Sequence, residues 1–248
     1  MNDKRGVGIC TYNRSVHLRS LIQSVIQTTP EGTRIVVCDD GSTDETPYVV
    51  TEFQDVLYLR GPNLGVGANK NRALWALQDC AFIAILEDDL VPIKSGWFER
   101  YQNVAICTDI HHFCRVQDKR VEETVPEFTE WMKTKGYTPI YGPSPRGDFT
   151  FITNTVIQDV GGFHPKFVGA GYAHGEWSNR VVKAGLVPHP LRWIDILELS
   201  ACFVQRGDTE GGRWIEDKRK IKEQLKYNHA VSKSLRRSNY IYHPLVIS

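Results

Sequence analysis

The sequence predicts an α/β fold in which helices cover both faces of a mostly parallel, doubly wound sheet. Two observations support this prediction. Apolar runs of strand length alternate with segments at helical spacing through the first half of the chain, and unusual polar residues follow the end of each run. In such a sheet the carboxyl ends of the strands lie along one edge, where ligands bind. We therefore expect one polar, ligand-binding edge.

The first half alternates four predicted strands with three predicted helices. The strands are GVGICTY, RIVVCDD, VLYLRG and AFIAIL. The segment SVHLRSLIQSVIQTT places its apolar residues near helical spacing, and STDETPYVVTEF opens with the hydroxyl, acidic and proline residues that start helices. The segment GVGANKNRALWAL also runs into a helix. This order is typical of repeated strand–helix–strand units.

The second half is less regular. We expect helices near residues 97–106 and 127–135, a strand and short helix in FTFITNTVIQDVGGF, and a helix that ends at Gly185. The segment LRWIDILEL predicts a late strand, and a basic helix begins near Trp214. We expect one domain over residues 1–213, with one half at 1–92 and the other at 93–213. Residues 214–248 then form a basic helical extension packed on that domain.

Composition limits the class of protein. The chain has 248 residues, of which 41% are hydrophobic and 24% charged, with a formal net charge of +1. This balance indicates a globular protein and gives no overall field toward nucleic acid or membranes. The sequence has no apolar stretch of bilayer length and no apolar signal-peptide core. We expect a cytoplasmic protein with reduced cysteines, and peripheral membrane contact is compatible with the sequence.

Three consecutive acids follow the fourth predicted strand. In FIAILEDDLVP the apolar run stops at Glu87, Asp88 and Asp89. Adjacent carboxylates repel one another unless a cation lies between them, and hard divalent cations prefer carboxylate oxygens. When one or two carboxylates bind such a cation, its remaining coordination positions are taken by water or by phosphate oxygens of a substrate. The sequence therefore predicts a site for Mn²⁺ or Mg²⁺ that binds a diphosphate.

Five segments together resemble the family 2 glycosyltransferases of the GT-A fold. They are VGICTYNR, VVCDDGSTDET, PNLGVGANKNRAL, AILEDDLVP and DVGGFHPKF, in the order seen in that family over roughly residues 6–200. The resemblance implies a single GT-A domain, in which residues 1–92 form the nucleotide-binding half and 93–213 the acceptor half. It also implies metal-dependent transfer of a sugar, with inversion, from a nucleotide-sugar, usually UDP-linked. The acceptor would be a glycan, a lipid-linked sugar or another hydroxyl-bearing molecule, and nucleic acid is a further, less favoured acceptor.

The resemblance also implies roles for individual residues. Asp89, at the last position of the metal motif, would bind the metal, and Asp88 would contact the ribose or the donor sugar. Glu87 stands where the family more often has Asp. Asp39 would accept the N–H of uracil. The remaining residues implied to contact the nucleotide or its phosphates are Cys10, Thr11, Tyr12, Arg14, Asn63, Lys70 and Asn71.

Inverting transfer needs a general base near the acceptor hydroxyl. In the family the base precedes an Arg in an acidic segment, which here is AHGEWSNRV. Residue type indicates Glu176, whereas counting back from Arg180 gives His174, whose imidazole can also act as a base. We expect Glu176 to be the base, with His174 as the alternative and Asp148 behind them.

Two other functions fit the predicted fold. A sugar-1-phosphate nucleotidyltransferase would carry a Gly-rich phosphate loop after the first strand, where this chain has TYNRSVH, and a non-catalytic carbohydrate- or nucleotide-binding relative would have lost the metal acids. The segment CTDIHHFC contains Cys107, His111, His112 and Cys114. Their spacing fits no common zinc module, so we expect them to serve packing.

Overall fold

The computed structural model describes residues 3–117, 126–141, 144–169, 171–187, 193–206, 218–236, 238 and 240–245. Its centre is a six-stranded sheet in the order β3-β2-β1-β4-β8-β6. These strands are β1 (Arg5–Thr11), β2 (Arg34–Asp39), β3 (Val56–Arg60), β4 (Phe82–Glu87), β6 (His112–Gln117) and β8 (Ser144–Thr153). Strands β1 to β4 pair with one another in parallel, and β8 runs antiparallel to both β4 and β6.

Short strands extend this framework. β5 (Leu90–Pro92) pairs with β10 (Phe203–Gln205), and β7 (Pro139–Tyr141) pairs with β9 (Ile194–Ile196), both antiparallel. The late strand predicted for LRWIDILEL is shorter than expected, because the chain turns into a helix directly after Ile196. The β5–β10 pair lies immediately after the acids that end β4, so it holds the chain near Asp89 in place.

Helices connect the strands. They are α1 (Ser15–Thr28), α2 (Thr46–Thr51), α3 (Val66–Leu77), α4 (Trp97–Thr108), α5 (Pro126–Thr134), α6 (Asn154–Asp159), α7 (Ala173–Lys183), α8 (Leu197–Ser200) and α9 (Lys218–Arg236). The doubly wound α/β fold predicted from the sequence is confirmed. None of the helices in the described ranges is long and apolar enough to cross a membrane.

The central strands form the core because they are apolar on both faces, as parallel strands covered on both sides are. In β1 and β2 every residue after the first is buried. A second part of the core is aromatic: Trp97 on α4 packs edge-on against Phe149 of β8 and Phe203 of β10. These contacts attach the second half of the chain to the sheet, so the antiparallel strands have a fixed position beside β4.

Candidate functional site

The ends of β1, β2 and β4 bring the predicted polar residues together. Cys10 pairs in register with Cys38 on one side and with Glu87 on the other. A cleft opens at this edge, and the described residues that line it are Cys10, Thr11, Tyr12, Arg14, Asp40, Val66, Asn69, Glu87, Asp88 and Asp89. Six of the residues predicted from the sequence to bind donor or metal are therefore adjacent, although they come from segments more than seventy positions apart.

Asp88 is held from the β1 side of the cleft. The hydroxyl of Thr11 donates to Asp88 Oδ2 at 2.8 Å, and the amide N–H of Tyr12 donates to the same oxygen at 3.3 Å. The guanidinium of Arg14 lies 3.4 Å from Asp88 Oδ1. Burial raises the pKa of Asp88 to about 7, and Arg14 and Thr11 limit that rise. Asp88 is thus fixed in direction by three donors before any ligand binds.

Asp89 has an open oxygen. Gln205 on β10 donates to Asp89 Oδ2 at 3.2 Å, whereas Asp89 Oδ1 is buried and has no hydrogen-bond partner among the described residues. Burial raises the pKa of Asp89, and the charge of Glu87 raises it further. A buried carboxylate oxygen without a donor is costly unless something binds it. Asp89 Oδ1 is therefore the atom of this edge that most needs a ligand.

Glu87 is paired with a buried lysine. Lys70 Nζ lies 2.8 Å from Glu87 Oε1 and also donates to the carbonyl of Gly147. Lys70 is buried in α3 and is not among the described residues that line the cleft. The resemblance implied that Lys70 contacts the nucleotide, and that role stays a prediction. In the structure the ammonium of Lys70 neutralises the first acid of the cluster, as the buried charge requires.

The two aspartates that follow β2 have different surroundings. Asp39 is 0% exposed, and its carboxylate accepts hydrogen bonds from the amide and hydroxyl of Ser42 and from the hydroxyl of Tyr58. Asp40, which the sequence did not single out, lines the cleft. The carboxylate of Asp39 is thus hydrogen-bonded by the protein itself and is not among the described residues that line the cleft, and its contact with uracil stays a prediction.

Asp40 organises the loop that leads into α3. Its carboxylate accepts the amide N–H groups of Leu64 and Gly65, and Arg72 donates to it at 3.0 Å. Gly65 has φ +97°, and a Cβ there would lie 2.5 Å from the backbone nitrogen of Gly169, so this position requires glycine. The pair of aspartates in VVCDDGS indicated that an acid lies at this edge. The sequence alone does not say which of two adjacent acids faces the cleft.

Two further predicted contacts lie elsewhere. Asn71 is buried, and its amide donates to the carbonyl of Phe163 at 3.0 Å and accepts the Phe163 N–H at 2.7 Å. It therefore joins α3 to the loop after α6, and its role in lining the nucleotide stays a prediction. Asn63 is exposed and is not among the described residues of the cleft, so its role stays a prediction. Asn69, which was not predicted, does line the cleft and donates to the carbonyl of Cys38.

The two candidate bases lie on opposite sides of α7. Residues two apart on an α-helix point about 200° apart, since each residue turns the helix by about 100°. His174 faces the sheet, with its ring 6.2 Å from that of His112 on β6. A Cβ on Gly147 would lie 3.4 Å from Glu87 Oε1 and 4.0 Å from His174 Cβ, so His174 is on the side of the acids. Glu176 faces the C-terminal segment.

Glu176 is already fully engaged. Arg180 donates from Nε to Glu176 Oε1 at 2.9 Å and from Nη2 to Oε2 at 3.2 Å, and the hydroxyl of Tyr240 donates to Oε1. Glu176 lines a cavity whose described lining residues include Asn179 and Lys183. None of Glu87, Asp88 and Asp89, which we call the acid edge, is among them. The arginine partner of Glu176 holds it on the other face of α7, and its role as the base stays a prediction.

His174 has no such partners. It is 9% exposed, and neither ring nitrogen has a hydrogen-bond partner within the described part of the chain. Burial lowers the pKa of His174, and the ammonium of Lys70 and the ring of His112 lower it further. The imidazole is therefore neutral at physiological pH. The third candidate, Asp148, accepts from both Arg115 and Arg146.

The residues at the acid edge fit a divalent cation. Glu87 and Asp88 are held by Lys70 and Arg14, so Asp89 offers the one open, buried carboxylate oxygen of the three. One protein carboxylate, with phosphate oxygens and water completing the shell, is a common arrangement for Mg²⁺. The donor set is all oxygen, which favours Mg²⁺ or Mn²⁺ over softer metals.

Comparisons with solved structures place this geometry in a known fold. The chain is similar to the mannosyltransferase PcManGT from Pyrobaculum calidifontis, solved in complex with GDP-Man and Mn²⁺, with a TM-score of 0.55, 15% identity, and coverage of 77% of this chain and 56% of that chain. It is also similar to GalNAc-T7, solved with UDP, GalNAc and Mn²⁺, with a TM-score of 0.56, 15% identity, and coverage of 70% of this chain and 39% of that one. At these identities the likeness concerns the fold.

Sequence comparisons agree. A stretch of 78 residues, 30% of this chain, is 35% identical to glycosyltransferase GlyA of Streptococcus pneumoniae serotype 4. That stretch is 11% of the length of GlyA, so the match concerns a small part of that protein. The sequence model described as "Glycosyl transferase family 2" matches residues 6–155 of this chain, which include β1 to β4 and the acid edge. The chain belongs to glycosyl transferase family 2.

Proposed function

We propose that this protein is a metal-dependent glycosyltransferase that moves a sugar from a nucleotide-sugar to an acceptor hydroxyl with inversion. The observation that carries the proposal is the open, buried Asp89 Oδ1 beside two acids that the protein already holds. Family membership supports the reaction class. The Mn²⁺ and nucleotides in the similar solved structures support the donor class.

In this proposal different residues of the cleft bind different parts of the donor. Asp89 would hold Mn²⁺ or Mg²⁺, and when bound the cation offsets negative charge on the diphosphate of the donor. Arg14 lies at the β1 side of the same cleft, where a guanidinium can bind phosphate oxygens. Tyr12 lines the cleft next to it and offers an aromatic face to a nucleobase. A uridine nucleotide is the first candidate from the resemblance.

For the base we propose His174. Its neutral imidazole has unpaired nitrogens within the described part of the chain and lies on the side of α7 that faces Glu87. Glu176 has three donors and faces the other way. In this proposal Glu176 is structural, because its buried ion pair with Arg180 stabilises α7, the helix that carries His174.

The test is a donor screen with the full chain. UDP- and GDP-linked sugars are incubated with and without Mn²⁺, and the release of nucleoside diphosphate is measured. We expect Mn²⁺-dependent release that is lost in Asp89→Ala and kept in the control Asp55→Ala, which changes an exposed acid away from the cleft. The proposal would be refuted if the rate of nucleoside diphosphate release did not depend on Mn²⁺. It would also be refuted if turnover occurred only with a nucleoside triphosphate and a sugar phosphate.

A further inference from the structure

A second cluster of potential metal ligands lies beside the acid edge and has a different chemistry. It consists of His112 and Cys114 on β6 and His174 on α7, and we call it the His–Cys cluster. One ligand atom from each residue lies within 4.8 Å of the other two. His112 and Cys114 are two apart on a strand, so their side chains point to the same face, and α7 brings His174 over that face.

The imidazoles of the cluster have unpartnered nitrogens within the described part of the chain. His112 is 1% exposed and Cys114 is 0% exposed. His112 Nε2 and both nitrogens of His174 are buried, and none of the described residues gives them a hydrogen bond. A buried polar atom without a partner costs about 1–3 kcal/mol. One such nitrogen from each imidazole, close to a buried thiol, therefore indicates a missing ligand rather than ordinary packing.

We propose that His112, Cys114 and His174 bind a borderline divalent cation such as Zn²⁺, separately from the oxygen-bound cation at Asp89. Imidazole nitrogen and cysteine thiolate both bind zinc, and three protein ligands leave a fourth position open. Mg²⁺ and Mn²⁺ prefer oxygen and would not compete well for this set.

The charge of the surroundings sets how strongly such an ion binds. The ammonium of Lys70 acts on His174 and opposes a second positive charge, whereas a thiolate at Cys114 would offset one charge of the ion. Burial raises the pKa of the Cys114 thiol, so binding must release its proton. The imidazoles are already neutral, which is the form that binds metal.

The site has a consequence for catalysis that rests on the proposed function. A nitrogen that binds Zn²⁺ cannot take a proton from an acceptor, and the bound ring is held toward β6. If His174 is the base, Zn²⁺ at the His–Cys cluster inhibits transfer even with Mn²⁺ at the acid edge. The site could not be predicted from the sequence, because His174 lies sixty positions after Cys114. The neighbouring His111 is not part of the cluster, since its ring is hydrogen-bonded with Thr153.

Cobalt reports on the site directly. The full chain, freed of metal and kept reduced, is titrated with Co²⁺ in excess Mg²⁺, which occupies oxygen sites. We expect a thiolate-to-Co²⁺ charge-transfer band in the near ultraviolet that Zn²⁺ removes. Cys114→Ser should abolish this band, His112→Ala should weaken binding by about tenfold or more, and the control Cys107→Ser, at an exposed cysteine, should leave it unchanged. Circular dichroism checks that each variant is folded.

The outcomes separate the two proposals. Two outcomes overturn the proposed metal site. One is a wild-type titration without a charge-transfer band, and the other is a band that persists in Cys114→Ser. Transfer is then measured with and without one equivalent of Zn²⁺ in wild type and Cys114→Ser. Inhibition that needs Cys114 supports both the site and the base. Zn²⁺ that binds without changing the transfer rate supports the site and refutes the role of His174 as base.

Discussion

Glu176→Gln tests whether the buried ion pair of α7 is structural. The side chains of Arg180 and Glu176 are 2% and 5% exposed. Arg180 also donates to the carbonyls of Val160 and Gly162, so it cannot turn toward water without breaking those bonds. The amide of glutamine keeps the shape of the side chain and removes its charge, which leaves the guanidinium buried without a counter-ion.

The expected magnitude follows from that burial. Removing one partner of a buried ion pair costs about 3–5 kcal/mol of unfolding free energy. The glutamine side chain in the Glu176→Gln variant would keep one oxygen that accepts a hydrogen bond, so we expect the low end, about 3 kcal/mol. For a chain of this size that is a fall in the melting temperature of about 6–12 °C.

Thermal unfolding followed by circular dichroism measures the loss, and transfer rates are measured well below the transition. The matched control is Tyr240→Phe, which removes one hydrogen bond from Glu176 and keeps the ion pair; it should cost about 1 kcal/mol. We expect Glu176→Gln to retain most of its transfer rate and His174→Ala to lose about 10²-fold or more. A Glu176→Gln protein with unchanged melting temperature and transfer reduced about 10²-fold would refute the structural role and restore Glu176 as the base.

Three further predictions concern other acids. Asp89→Ala should abolish metal-dependent binding of UDP in calorimetry and change the melting temperature little. The variant loses the 3.2 Å hydrogen bond from Gln205, whereas Asp89 Oδ1 has no partner to lose in the described chain. Unchanged affinity would refute the metal assignment. Asp39→Asn should lower the free energy of unfolding by about 1–3 kcal/mol and should weaken the binding of uridine and guanosine nucleotides equally. A loss of affinity that is specific to uridine nucleotides would support the predicted contact with the base. The guanidinium of Arg34 and the ammonium of Lys4 lower the pKa of Asp79 from 3.8 to about 2. The resulting stability is present above pH 3.8 and is lost as pH falls through about 2. Asp79 is largely exposed, so its ion pairs are screened by water. The free energies of unfolding of the wild type and Asp79→Asn in acid should therefore differ by less than about 1 kcal/mol. A larger difference would show that the ion pairs are not screened.

The sequence by itself determined the order and type of most elements. Strands β1 to β4 and helices α1 to α4 were predicted from apolar periodicity and helix-start residues, which are local properties of the chain. It also determined that Thr11, Arg14 and Asp88 would meet, because parallel strands place their carboxyl ends at one edge whatever the details of packing. Strand β6 was not predicted, because HHFCRV shows no clear alternation of polar and apolar residues.

Only the tertiary structure decided which polar side chains are open to a ligand. Asp39 and Asp40 are adjacent and chemically identical, and Tyr58, nineteen positions after Asp39, closes the first while the second faces the cleft. His174 and Glu176 are separated by half a turn of α7, and Tyr240 engages only Glu176. The physical reason is the same in both cases: a carboxylate or imidazole is functional or structural according to the donors around it, and those donors come from distant segments that only folding brings near.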